Sequence, residues 1–169
     1  WLLGADEIDM SRLGEAFVVY QGHHGDAGAH RADIILPGAA YTEKNGTYVN
    51  LEGRVQLGRL SVFPPGEARE DWTILRALSE IVGQPLPSDN LGEVRQKLIE
   101  ANPSFGRRDE VRSAAWEAFG VAGDTVPVPF ALPVNNFYMT DPISRASPTM
   151  AECTELFVMP KLVMTGSEG

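Results

Sequence analysis

The chain has 169 residues, 43% of them hydrophobic, and a net charge of −9 from 23 acidic against 14 basic residues. That apolar content suffices for one compact core. The acidic surplus excludes nucleic acid and disfavours an anionic membrane surface, since both need an excess of Lys and Arg.

A single cysteine, Cys153, excludes an internal disulfide and any self-contained thiolate cluster or zinc site. No apolar run approaches the roughly 20 residues of a membrane span. The greasiest late segment, Phe157 to Met164, is interrupted by Pro160 and Lys161. The chain opens on Trp1, with no cap or strand boundary before it, and reads as the inside of a longer polypeptide. The lack of a signal peptide at that end therefore carries no weight.

In chain order, Phe17–Tyr20 and Ala32–Leu36 are short β-branched and apolar runs that predict strands, with Gly14, Gln21-Gly22 and Pro37-Gly38 as their bounds. Between them, Asp26–Arg31 has room for one to two helical turns. Strand, short helix, strand is the order of a parallel crossover, whose members read as continuous apolar runs because both faces are covered. Tyr41–Val55 follows as irregular chain, with one helical turn expected near Ala39–Lys44. Gly46, Asn50 and Gly53 stand at short intervals there, where a positive φ or a close backbone approach is needed.

After Pro64-Pro65-Gly66 a helix is expected over Arg69–Val82, with Trp72, Leu75, Leu78 and Val82 as its apolar face. Gly83 ends it, and Pro85 and Pro87 forbid continuation. A second helix is expected over Leu91–Ala101, with Asn90 and Glu93 as a capping pair and Leu91, Val94 and Leu98 inward. A third is expected over Asp109–Phe119, using Val111, Ala115 and Phe119 and stopping at Gly120. Asp124–Asn136, with Pro127, Pro129 and Pro133, reads as an extended strap. Ser147-Pro148 starts a last helix to about Leu156, Ser as N-cap and Pro at the first helical position. Thr165–Gly169 is expected to fray. The chain thus divides into an α/β part, residues 1–62, and a helical, proline-rich extension, residues 63–169, with a strap over about 124–147.

Few side chains suggest chemistry. His23, His24 and His30 with Asp26 are the obvious metal candidates, but adjacent His23 and His24 point apart on any regular element, and a metal would need a second shell to fix its imidazoles. Glu43, Lys44, Glu52 and Arg54, around Gly46 and Gly53, offer acid, base or anion-binding groups; their bland reading is a rigid loop with internal ion pairs. Cys153 has no neighbouring His or Lys in sequence and reads as a small buried hydrophobe. Ser144 and Ser147 lack a nucleophile elbow, and no phosphate-binding glycine loop is present. No catalytic, cofactor-binding or metal-ligating residue is assigned. Asn136–Met150 instead mixes Phe137, Tyr138, Met139, Ile143 and Met150 with Asp141 and Arg145, a composition favoured in interfaces. It either contacts another surface or wraps its own core.

The stretches ADIILP (32–37), EKNGTYVNLEGR (43–54) and NFYMTDPISRASPTMAEC (136–153) resemble the molybdopterin oxidoreductase superfamily, and within it the large iron–sulfur subunits of respiratory complex I. The resemblance implies the end of a parallel-sheet α/β domain and a helical extension. It also implies a parent subunit that carries electrons from NADH toward quinone through 2Fe-2S and 4Fe-4S clusters, whose cysteines must lie outside this chain. Other peripheral-arm subunits are the implied partners, with no nucleic acid and no direct membrane insertion. The implied location is the cytoplasmic face of a bacterial inner membrane, or the matrix side of a mitochondrial one. In active superfamily members the stretch matching 43–54 lies near a pterin cofactor, whose binding also uses a β-barrel domain. No run of alternating strands follows Gln56 here. The alternatives are the end of an active molybdopterin-dependent enzyme, or a stand-alone metal-binding module.

Overall fold

The structure, a computed structural model, describes residues 1–113 and 115–159. The expected frayed end, Thr165–Gly169, lies outside the described residues. The chain is α/β: a three-stranded parallel sheet at the start, a two-stranded hairpin, and helices after it. It forms two compact units. One holds residues 1–23 and 27–115; the other holds His24–Asp26 with the described residues from Trp116 onward. The sequence division near residue 62 follows composition, whereas compactness groups the middle helices with the sheet.

In the first unit, β1 (Leu2–Leu3), β2 (Val19–Gly22) and β3 (Ile34–Pro37) lie side by side in that order, all parallel. Helix α1 (Ala27–Arg31) supplies the crossover from β2 to β3. The two longer strands lie two residues later than the apolar runs that announce them, because pairing continues into Gly22 and Pro37 while Phe17 is left in solvent. The core is Leu2, Val18, Tyr20 and Ala29, flanked by Ala5, Met10, Leu13 and Ala32. Tyr20 is 1% exposed, and its hydroxyl donates to Asp6 Oδ2 at 2.9 Å. The other oxygen of Asp6 accepts the Gly28 N–H at 2.8 Å, so one buried carboxylate ties β2 to α1. Only glycine fits at 28. A Cβ there would stand 2.7 Å from both the Ala5 carbonyl oxygen and the Tyr20 ring.

The segment expected to be irregular is a hairpin: β4 (Gly46–Val49) pairs antiparallel with β5 (Val55–Gly58). Asn50 builds its turn. Its carbonyl accepts the Gly53 N–H at 3.0 Å, and its side-chain oxygen accepts the N–H groups of Glu52 and Arg54 at 3.0 and 2.9 Å. Gly53 sits at φ +78°, the left-handed conformation that closes such turns without steric cost. The helical turn expected near Ala39–Lys44 is a turn without helix, closed by the Glu43 N–H on the Ala40 carbonyl.

Helices α2 (Asp71–Ile81) and α3 (Leu91–Ala101) fall within the expected ranges. The Asn90 side chain accepts the Glu93 N–H at 3.0 Å and donates to the Glu93 carboxylate at 2.7 Å. That is the reciprocal cap its spacing announces. Val82 departs from the expected stripe: it is α2's C-cap and is exposed. The third helix expected over Asp109–Phe119 is not formed among the described residues; Ala114 lies outside them. Asp109 sits at φ +61°, and its N–H donates to the Val55 carbonyl at 2.8 Å, which holds the start of the segment against β5 instead. The apolar stripe meant to drive the helix is thin, and Phe119 is exposed, so packing has nothing to add to a marginal helix.

The second unit is built on side-chain caps. Asn136 starts a 3-10 turn over Phe137–Met139, Asp141 caps α4 (Pro142–Arg145), and Ser147 caps α5 (Pro148–Phe157). The strap expected over about 124–147 is therefore helical in its last third. Upstream, residues 121–132 run without helix, turn or bend.

Candidate functional site

The charges of the Glu43–Arg54 loop do not converge on one point. The Glu43 carboxylate turns back to accept the Ala40 N–H at 2.9 Å. Lys44 pairs with Asp71, the first residue of α2, both about a quarter exposed. The neighbouring Asn45 N–H donates to Glu70 at 3.0 Å, and the other Glu70 oxygen accepts the Trp72 indole N–H at 2.7 Å. At the far end of the hairpin, Arg54 approaches Glu52 at 3.5 Å and donates to the Asp109 carbonyl at 2.8 Å. Lys44 and Arg54 fasten the loop to α2 and to Asp109, while Glu43 and Glu52 are taken up within the loop itself. Gly46 owes its place to contact rather than to φ, since a Cβ there would fall 2.6 Å from the Tyr48 ring.

The node of this region is Asp71, which sequence reasoning left as an ordinary helix residue. Its Oδ1 accepts from the fully buried Gln21 amide at 3.0 Å while its other oxygen meets Lys44, so β2, the loop and α2 share one carboxylate. A Cβ on Gly38 would come within 3.0 Å of the same Oδ1. The sequence signal was the glycine after Pro37, set opposite an acidic residue in a helix's first turn, where negative charge is favoured. The node fastens three elements together. An apolar groove of about 310 Å³ lies between α2 and α3 in this unit, lined by Trp72, Leu75, Leu86, Pro87 and Val94.

The histidines are not brought together as ligands. His23 is exposed, His24 is half-buried and His30 is exposed in the last turn of α1, while the Asp26 carboxylate is engaged by Arg145. Among the described residues, no three His, Cys, Asp or Glu side chains lie close enough to hold a metal ion. Cys153 is a free, half-buried thiol on α5. Cys153 supplies at most one of the several thiolates that hold an iron–sulfur cluster, and the loop charges diverge rather than frame a pterin, so these residues by themselves fit neither group.

The segment 136–150 closes on itself more than its composition suggested. Asn136 donates to the Thr154 hydroxyl at 3.1 Å, and the Tyr138 and Phe157 ring centroids are 6.2 Å apart. The Arg145 guanidinium bridges Asp26 and the Met139 carbonyl, the latter at 3.2 Å. Asp141 accepts from the Ser144 hydroxyl at 2.7 Å, from the Ser144 N–H at 3.1 Å and from the Ile143 N–H at 2.9 Å. These bonds, the Ser144 hydroxyl first, hold its carboxyl below the usual aspartate range. Ser147 is thus a cap, and Ser144 is the helical residue that donates to the cap Asp141. Tyr138, Met139, Ile143 and Met150 are half-buried, but Phe137 stays 81% exposed. The segment packs partly within its own unit, and Phe137 is the large apolar side chain it leaves in solvent. Among the described residues, no helix is long and apolar enough to cross a membrane.

Two family models match the chain: molybdopterin oxidoreductase over residues 1–81, and a C-terminal domain of NADH-ubiquinone oxidoreductase over residues 101–153. The chain is 51% identical over 168 residues to the mitochondrial NADH-ubiquinone oxidoreductase 78 kDa subunit of Candida albicans, covering 93% of this chain and 23% of that protein. It is 48% identical over 163 residues to the 78 kDa subunit of Neurospora crassa, covering 91% and 22%. Against the mitochondrial NADH dehydrogenase [ubiquinone] iron-sulfur protein 1 of Solanum tuberosum it is 46% identical over 160 residues, covering 92% and 22%. The chain spans under a quarter of the length of the curated relatives it matches. With both matched domains in order and close to half its residues identical to these relatives, the chain belongs to the family of the 75/78 kDa subunit of complex I, and corresponds to its C-terminal part.

Proposed function

We propose that this chain is a structural and assembly region of the complex I iron–sulfur subunit and performs no chemistry of its own. Residues 1–62 would be the end of the α/β domain and 63–169 its extension. The parent subunit would pass electrons from NADH toward quinone through iron–sulfur clusters held by cysteines elsewhere in the polypeptide. Its neighbours would be other peripheral-arm subunits, on the matrix side of a mitochondrial inner membrane or the cytoplasmic face of a bacterial one. The observation that carries this reading is the engagement of the loop charges. Glu43, Lys44, Glu52 and Arg54 each have a partner within the protein, and the carboxylate that organises the region is divided between Gln21 and Lys44. A site for acid–base or anion chemistry would leave such a group facing an opening.

The family model over residues 1–81 keeps a second reading in view, the end of an active molybdopterin-dependent enzyme. Metal analysis of the purified full-length protein separates the two. Iron at several atoms per chain with no molybdenum is expected. Molybdenum at one per chain, with an extractable pterin, would replace the first reading by the second.

A further inference from the structure

From Thr125 to Val134 the chain reads TVPVPFALPV, without a charge. Val126, Val128, Phe130, Leu132 and Val134 take the even positions, and all five are exposed, Phe130 completely. Pro127, Pro129 and Pro133 all take odd ones. Residues preceding proline are pushed toward extended backbone, and this segment has no helix or turn through Leu132. In an extended chain, alternate residues turn their side chains to opposite faces and their backbone N–H and C=O groups to opposite edges. The two parities are therefore chemically different. The even edge keeps all five N–H donors and belongs to the residues with large apolar side chains. On the odd edge, between Pro127 and Pro133, only Ala131 keeps a donor.

A strand of this kind can pair on one edge only. Proline in a sheet is confined to an edge strand with its missing N–H turned outward, where it also stops another strand from adding. Apolar side chains at every second residue match the pockets an added strand fills. A polyproline II strap would not use this pattern, because its three-residue period spreads the five apolar residues around the helix.

We propose that Val126–Val134 adds as an outer strand to an open sheet edge in the part of the subunit polypeptide beyond these 169 residues, its proline edge facing solvent. This rests on reading the chain as a region of the longer subunit. The length of the relatives points to that occupant: this chain is 23% of the Candida albicans protein, so most of such a polypeptide's surface lies outside it. Covalent linkage presents that surface at high effective concentration. An uncharged, bulky strip also suits a permanent contact better than an exchanging one.

The test is residue-resolved hydrogen exchange on the full-length subunit, alone and within the assembled complex. The Val128, Phe130 and Leu132 amides should exchange about 100-fold more slowly than Ala131 in the subunit alone. Ala131→Pro should leave that protection in place, whereas Val128→Pro should abolish it. Phe130 and Leu132 exchanging as fast as Ala131, or equal effects of the two proline variants, would overturn the strand. Protection that appears only when other subunits are bound would overturn the proposed occupant. If the subunit still assembles with no difference between parities, the strand proposal fails and the structural reading stands. A full-length protein that holds molybdenum fails the reading itself.

Discussion

The N-terminus of α2 and the strap before residue 136 meet solvent in opposite ways. Around Asp71, donors from Gln21, Lys44, Asn45 and Trp72 all find acceptors on Glu70 or Asp71, while the buried Gln21 Oε1 has no partner among the described residues. Along Val126–Val134, apolar groups stand in water, with Leu132 83% exposed. Unpaired buried polar groups and exposed apolar strips are each costly, by desolvation in one case and by the hydrophobic effect in the other. The first region meets most of its cost from within the chain. The second stays uncovered among the described residues, and the proposed strand addition would cover it.

The largest expected effect lies in the first region. Gly28→Ala forces a methyl group against the Ala5 carbonyl oxygen and the Tyr20 ring, neither of which can yield without moving β2. Overpacking of this kind costs about 3 kcal/mol, measurable as a lowered denaturation midpoint. In these 169 residues alone a change confined to the 126–134 side chains should leave that midpoint unmoved, whereas in the full-length subunit it should lower it, and this contrast is what separates the two regions. Equal loss in both would erase the distinction.

A smaller effect concerns Asp141. Its folded-state pKa is depressed, so the cap's contribution is present above the unfolded value, about 4, and is lost as pH falls through the lower folded value. Between pH 5 and pH 2 the Ile143 and Ser144 amides should lose exchange protection. Asp141→Asn, which still caps but does not titrate there, should flatten the profile. An unchanged profile in that variant would show that the carboxylate is not the cause.

How legible all this was depended on how local the cause was. Caps need only neighbours in sequence, and Asn90 with Glu93, and Ser147 with Pro148, were readable as such. The parallel pair was readable from Val19 and Ile34 onward because apolar β-branched runs announce strands, but the expected cover on both faces holds only for β2: Ile34 and Ile35 on β3 are 44% and 55% exposed. The hairpin was missed because Gly46, Asn50 and Gly53 look like punctuation. Only the pairing of Thr47 with Leu57 and Tyr48 with Gln56 reveals that Asn50 and Gly53 turn the chain while Gly46 makes room for Tyr48. The helix expected at 109–119 failed for the opposite reason: a local period was present, but Asp109 is held to Val55, a contact 54 positions away that no window contains. For the same reason Asp71 passed unnoticed, since its partners Gln21 and Lys44 are remote in sequence. The divergence of the 43–54 charges was not legible either, since their partners at Ala40, Asp71 and Asp109 are set by the fold and not by spacing.

The central claim is that this region serves assembly and not electron transfer. Phe137→Ala in the full-length subunit tests it most directly, because Phe137 is exposed while Tyr138 beside it packs toward Phe157. Incorporation into the complex should fall about fivefold, as for loss of a modest interface anchor, with iron content and cluster spectra per subunit unchanged. Full incorporation of the variant, or normal incorporation with electron transfer lost, would contradict the account.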